Sequence, residues 1–476
     1  MKKGDQLELE ISDLAFGGKA ISKVKTPEGD FVFFIENAIP GQRVLAQILK
    51  KKKSYAECKL LKILKVSPFE VTVPYQPISG SPYLALPIDK QIEYKKNTVF
   101  ELFKRLGAIP QPEKIFDEFI VSPRQWHYRN KMEYSFSSIR HDIHTDKEHD
   151  DFALGFKHRG TWWKVENLDK SSGLFDEAFE NHLHDIRAYC QTTGLPAWHP
   201  PKKTGFFRHL VVRKSFSEDR LLINLITSSE NHKKFNAEEF LNVLQKILGK
   251  RLAGFQYTIN DNVADRQKIE NGSTKLIYGK AIITEEILGL KFEISMESFF
   301  QTNPACAEKL YAKTIDYVLE NNPLNNDVVM DLFCGTGTIG QILAKKVPDL
   351  NVIGVDIVKE AIDNAKRNAA LNQIKKLKFF ASDVGKFLLE YPQYQNKIST
   401  IVIDPPRAGI TPKTLRKILR LNAKRIVYVS CNPATQARDL IAMREFGYHP
   451  IKFSLVGQFP HTAHVESVFL LEKSIS

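Results

Sequence analysis

Long apolar runs are missing from this chain. None reaches the ~18 residues that a membrane-crossing helix requires, so no membrane span is expected. The start, Met1-Lys2-Lys3-Gly4-Asp5, lacks an apolar signal core, which points to the cytoplasm. Cysteine is scarce: the 476 residues contain five, at Cys58, Cys190, Cys306, Cys334 and Cys431. They lie far apart with no C-x-x-C pair, so neither a disulfide framework nor a zinc site is suggested, and no metal is expected. Internal repeats and long low-complexity tracts are also absent. Acidic side chains are in the minority, 55 against 68 basic ones, for a net charge of +13. That excess suits a polyanionic partner, of which nucleic acid is the commonest, and a merely solvated basic surface equally well.

The length allows about three domains. Residues 1–66 read as evenly spaced short strands: Gln6 to Ile11, Phe31 to Ile35, Arg43 to Leu49 and Ala56 to Ile63, with turns at Phe16-Gly17-Gly18 and Pro40-Gly41. Such spacing suggests a small closed OB-like barrel. Its Lys50-Lys51-Lys52-Lys53 run is either a solvated hairpin tip or a track for a phosphate backbone. Pro68 to Pro87 reads as a linker, and Ile88 to Leu106 as an amphipathic helix with Ile92, Val99, Leu102, Phe103 and Leu106 on its apolar face, ended by Gly107. The region 67–285 mixes strands and helices in an α+β domain, with the helix expected to pack on the C-terminal domain. Its patches Trp126-His127-Tyr128-Arg129-Asn130-Lys131 and Trp162-Trp163-Lys164 suit base stacking and phosphate contact, or ordinary strand packing equally well.

From about residue 286 strands alternate with helices, the pattern of a doubly wound, mostly parallel α/β sheet. A strand ending at Asp331 runs into Leu332-Phe333-Cys334-Gly335-Thr336-Gly337-Thr338 and then a helix. This is neither the dinucleotide G-x-G-x-x-G nor a phosphate loop. Asp356 ends the next strand, where doubly wound folds hold ribose hydroxyls, and Asp383 ends the one after. A nucleoside-bearing cofactor without a pyrophosphate fits, S-adenosylmethionine best. Asp404-Pro405-Pro406-Arg407 ends a further strand at the ligand-binding edge.

Arg425 to Ser430 is an apolar strand, followed by Cys431 and a helix start with Asn432 as N-cap and Pro433 at the first helical position. The positive end of that helix favours a thiolate at Cys431, although a free cysteine is more often a small buried apolar residue. Glu466 opens the apolar run that reaches Leu471, a setting that raises a carboxyl pKa and suits a base, with the neighbouring His461 and His464 as alternative bases. A thiolate, a methyl donor and a base imply one reaction. The C5 carbon of a pyrimidine is a poor nucleophile until a thiolate adds to C6 and makes an enolate, and a base must then remove the C5 proton. A base within a helical nucleic acid must first be flipped out.

These residues resemble the RNA 5-methyluridine (uracil-C5) methyltransferases, the S-adenosylmethionine-dependent enzymes of tRNA and 23S rRNA, and the resemblance spans nearly the whole chain. It implies that residues 1–66 form the RNA-binding TRAM barrel and 286–476 the Rossmann-like methyltransferase domain. Ser298-Phe299-Phe300-Gln301-Thr302-Asn303 resembles the motif opening the catalytic domain. By the same resemblance Gln301, Phe333, Thr338, Asp356, Asp383 and Asp404 would line the cofactor site. Ser430-Cys431-Asn432-Pro433-Ala434-Thr435 matches the nucleophile motif and His464-Val465-Glu466 the general-base motif, making Cys431 nucleophile and Glu466 proton acceptor. The implied substrate is a uridine in 23S rRNA, with tRNA second, and the implied enzyme is monomeric. Many members hold a [4Fe-4S] cluster through four cysteines. Here Pro77-Ile-Ser-Gly-Ser-Pro82 and the region of Asn167 have none, so no cluster is expected.

Two other readings compete. An amino-group methyltransferase would place a stacking aromatic after the Asp-Pro-Pro run, where Arg407 stands, and needs no thiol. A catalytically silent RNA-binding or RNA-folding protein would not need Gln301, Asp404, Cys431 and Glu466 together.

Overall fold

The computed structural model describes all residues except Glu28, His144, 263–271, 321–327, 395–396 and 475–476, and the backbone alone at Leu388. By contact the chain divides into two units. One joins Met1–Val73, Pro82–Pro123 and Ala305–Ser476; the other joins Pro74–Ser81 and Arg124–Pro304. This differs from the three consecutive segments drawn from sequence, because contacts between residues far apart in the chain carry the N-terminal strands into the same unit as the C-terminal sheet.

In the first unit, six strands between Gln6 and Lys65 form one sheet with a core of Leu9, Phe33, Ile35, Val44, Ile48 and neighbours. The alternation in Arg43–Lys51 buries Val44, Ala46 and Ile48 and turns Arg43 outward. The short strand Asp13–Leu14 and the strand Ala20–Thr26 went unread in the sequence; both add to one side of the sheet.

Eight strands form the second sheet of this unit, in the order Leu377–Ala381, Asn351–Asp356, Val328–Leu332, Ile398–Ile403, Arg425–Ser430, Glu466–Lys473, Tyr448–Val456 and Phe116–Ile120. The first five are mutually parallel; the inner four read as β-branched apolar runs, as strands buried on both faces do, whereas the edge strand Leu377–Ala381 is partly exposed. Glu466–Lys473 lies antiparallel to Arg425–Ser430, with Ser467 opposite Ser430. That inversion starts one strand at the edge where five others end. Phe116–Ile120 is an eighth strand that sequence reading had placed outside this sheet.

The helix Ile88–Leu106 has the bounds expected, and Gly107 donates its N–H to Phe103 O at 3.0 Å. It packs against the helix Pro433–Glu445, and its Val99 and Phe103 join the core beneath the sheet. Each such side chain contributes about 2 kcal/mol. The buried face is Gln91, Lys95, Val99 and Phe103, whereas Leu106 is half exposed. Two of the four inward positions are therefore polar, which an apolar-periodicity reading cannot register.

The second unit is built on a seven-stranded sheet containing Lys131–Asp142, Phe207–Ser215, Arg220–Thr227 and Leu252–Ile259. The segment Pro74–Ser81 has neither helix nor strand, in line with a linker, yet it is tied down. Gln76 Nε2 donates to Asn167 O, and its Oε1 accepts from the N–H groups of Asp169 and Lys170. No described helix is long and apolar enough to cross a membrane.

Candidate active site

Five parallel strands end along one edge of the C-terminal sheet, and Asp331, Asp356, Asp383, Asp404 and Cys431 lie at or just beyond those ends. The turn after Val328–Leu332 requires unusual backbone. Phe333 has φ +61°, Gly335 +52° and Gly337 +72°. A Cβ at Gly337 would sit 2.3 Å from the Phe379 ring, so only glycine fits there, whereas a Cβ at Gly335 would meet open space. Asp356 holds this turn: Oδ2 accepts from Gly335 N–H at 3.0 Å and Oδ1 from Val358 N–H at 2.8 Å. Asp331, buried in the sheet, accepts from Gly340 N–H at 3.0 Å through Oδ2, and its Oδ1 has no hydrogen-bond partner. Burial, with Asp404 and Asp356 nearby, pushes its carboxyl up to about 8. Asp383 sits half-buried after its strand, its carbonyl accepting from Lys386 and Phe387 N–H. Gln301 belongs to the second unit, where its carbonyl accepts from Asn130 Nδ2 at 3.1 Å.

Cys431 follows the strand Arg425–Ser430, and Glu466 opens the antiparallel neighbour. Since Ser430 faces Ser467, Cys431 and Glu466 share the same end of adjacent strands. Asn432 caps the helix as expected, accepting from Ala434 N–H at 3.2 Å, with Pro433 at the first helical position. Its Nδ2 donates to Arg407 O at 3.1 Å, which ties the Asp404–Arg407 loop to the turn at Cys431. Asp404, placed by the strand Ile398–Ile403, donates its N–H to Leu332 O.

The electrostatics of this cluster correct one expectation. The helix N-terminus was expected to favour a thiolate at Cys431. Burial first, then the carboxyls of Glu466 and Asp404, push the thiol up to about 11, with Arg407 opposing them. Desolvation and two acidic neighbours outweigh one guanidinium and the helix dipole. Glu466 is pushed up to about 8 by burial and then Asp404, again against Arg407, as its apolar flank implied. Asp404 is raised to about 7 by burial. At neutral pH the protein alone keeps Cys431 as a thiol.

Sequence reasoning missed three residues here. Tyr311, on the helix Pro304–Leu319, is buried, and burial first, then the nearby Asp404, Glu466 and Asp331 carboxyls, raise its pKa. Lys95 and Gln91 hold the loop that leads into Glu466. Lys95 Nζ donates to Phe459 O at 3.0 Å, and burial pulls its pKa down to about 7. Gln91 Oε1 accepts from His461 N–H at 2.8 Å, and its Nε2 donates to Leu86 O at 2.8 Å and Tyr83 O at 3.1 Å. A helix-periodic polar pair at i and i+4 was the only sequence signal available for these two. Replacing Gln91 with Ala strands several buried polar groups, and urea titration is expected to show a loss of about 2–4 kcal/mol. An unchanged midpoint would mean that the loop is held without it.

The two aromatic–cation patches fare differently. Tyr128 is wholly buried and His127 Nδ1 is engaged with Phe175 O, so much of the first patch is packing. Trp162 is 55% exposed, leaving the second open to solvent.

A family model described as tRNA (Uracil-5-)-methyltransferase matches residues 215–474. The chain is 36% identical to a protein of Clostridium acetobutylicum named as an uncharacterized RNA methyltransferase, covering 100% of this chain and 99% of that one. A Clostridium tetani protein of the same description is 35% identical, with 99% of each covered. Among solved structures, the Pyrococcus abyssi tRNA (uracil-54, C5)-methyltransferase in complex with S-adenosyl-L-homocysteine aligns with a TM-score of 0.72 at 24% identity. That alignment covers 98% of this chain and 100% of that one, a likeness of fold.

Proposed function

This chain belongs to the tRNA (uracil-5-)-methyltransferase family, and from that premise we propose that it methylates C5 of a uridine in structured RNA through a covalent bond from Cys431 to C6. The pairing of Cys431 with Glu466 at one strand edge, beside Asp404, carries this reading. S-adenosylmethionine supplies an electrophilic methyl group on a sulfonium centre. The turn suits such a ligand. Gly335 leaves open space, a buried Asp331 oxygen has no hydrogen-bond partner, and Asp356 has lone pairs left for ribose hydroxyls after holding two N–H groups. Phe333, Thr338, Asp383 and Gln301 are proposed as further cofactor contacts.

Cys431 loses its proton to solvent water, and its sulfur adds to C6, placing the electron pair on C5 and O4 as an enolate. C5 takes the methyl group. Glu466, ionised at that point, removes the remaining C5 proton, and the returning electron pair expels the Cys431 thiolate. With Glu466 pushed up to about 8 in the protein alone, this carboxyl has the proton affinity a base needs.

Residues 1–66 are proposed as a TRAM barrel that binds RNA. Lys50 to Lys53 are exposed at the hairpin joining Arg43–Lys51 to Tyr55–Lys65. Neutralising all four is expected to lower RNA affinity uniformly across sequences and to flatten the salt dependence by about 0.7 per lost phosphate contact. An unchanged slope would remove the tip from the RNA interface. The wider proposal is a monomeric cytoplasmic enzyme without an iron–sulfur cluster. The sequence resemblance favours 23S rRNA, whereas the matched family description names tRNA. Mapping 5-methyluridine in both RNAs from cells with and without the gene decides between them. Loss of 5-methyluridine from neither would overturn the reading.

A further inference from the structure

In the second unit, the strands Lys131–Asp142 and Lys147–Lys157 form a hairpin that a third short strand closes. Val165–Asn167 pairs antiparallel with residues 155–157 and, through Val165, in parallel with Arg140. The closure brings His158, directly after one strand, beside His141, near the end of another, with ring centroids 4.0 Å apart. Asp146, in the hairpin turn, lies with Oδ1 3.4 Å from His141 Nε2. One potential ligand atom from each of the three lies within 4.8 Å of the others.

Two further features mark this as a built cluster. His158 Nδ1 is 2.6 Å from Oε1 of the buried Glu166, whose Oε2 accepts the Ser79 N–H at 3.0 Å. A carboxylate partner fixes the proton on Nδ1 and leaves the lone pair on Nε2, the second-shell arrangement that orients metal-binding histidines. His141 is 3% exposed, and its Nδ1 has no hydrogen-bond partner, so protein groups alone leave this ring incompletely satisfied. The cation nearby, Lys164, is directed at Glu148, 3.5 Å away.

Two imidazoles and a carboxylate suit a divalent first-row ion, and Zn²⁺ accepts such donors at about 2.0–2.2 Å with a further ligand completing the shell. We propose that His141, Asp146 and His158 bind a divalent transition-metal ion of the zinc class, which fastens the three-strand closure, and that Glu166 orients His158 for it. The site includes none of the residues assigned to methyl transfer, and it escaped the cysteine-based reading because its donors come from histidine and aspartate.

The test uses chelator-stripped full-length protein titrated with Zn²⁺ by calorimetry and with Co²⁺ by visible absorption. About one ion per chain is expected to bind. Co²⁺ should show the ligand-field bands of nitrogen and oxygen donors without thiolate charge transfer. Glu166→Gln should weaken binding roughly 10–100-fold, and His141→Ala or His158→Ala should abolish it. No saturable binding by the wild-type chain would overturn the proposal. So would a thiolate signature on Co²⁺, which is read on the unmutated protein and does not depend on any variant folding, or undiminished affinity in a His141→Ala, His158→Ala double variant.

Discussion

Cys431→Ala is expected to reduce methyl transfer to uridine by at least about 10⁴-fold while S-adenosylmethionine binding persists. The substitution removes one half-buried sulfur at the end of Arg425–Ser430. The elements that shape the donor turn, Asp356 with Gly335 and Asp331 with Gly340, are independent of it. Transfer of labelled methyl groups and calorimetry with the cofactor separate the two properties, and turnover near the wild-type rate would eliminate the covalent route. The same residue carries a pH signature. Because burial and the Glu466 and Asp404 carboxyls hold the thiol at about 11, alkylation of Cys431 in the protein alone should be slow at pH 7. It should rise about tenfold per pH unit through pH 9, following the thiolate fraction. A rate independent of pH over that interval would mean that the thiolate exists before RNA arrives.

Glu466→Gln carries the second large effect, with the opposite appearance. The amide keeps the shape of the side chain but accepts no proton, so addition and methyl transfer proceed and elimination stalls. Turnover should fall by about 10²–10⁴-fold. A methylated RNA–protein conjugate should accumulate as a band that survives denaturing electrophoresis. Full turnover with no conjugate would exclude Glu466 as the proton acceptor.

Much of this sheet was legible. The runs leading to Asp331, Asp356 and Asp404 are β-branched and apolar, the one leading to Asp383 carries two phenylalanines, and each ends in a polar turn, so position along the strand and chemistry coincided. The cap at Asn432 and the bounds of Ile88–Leu106 followed from local rules that need no tertiary information. What failed was non-local. Phe116–Ile120 joins the sheet only because Tyr448–Val456 offers it an edge. Gln91 and Lys95 face inward because a loop more than 360 residues away presents a backbone N–H to Gln91 and a carbonyl to Lys95, as their contacts with residues 461 and 459 show. The protonation of Cys431 was misread because the helix end is written locally, whereas the acidic neighbours arrive from two other strands.

The loop before Glu466 is gripped from the N-terminal side at several points: by Lys95 and Gln91, by Tyr83 N–H on His461 O, and by Gly18, where an added Cβ would lie 2.6 Å from that of Ala463. The N-terminal strands and the Rossmann-like fold are consequently not interchangeable cassettes in this enzyme. A fragment starting at the Rossmann-like fold would keep Cys431 and Glu466 yet lose the scaffold that holds the loop before Glu466, and grafting a foreign N-terminal sheet would require re-matching that seam residue by residue.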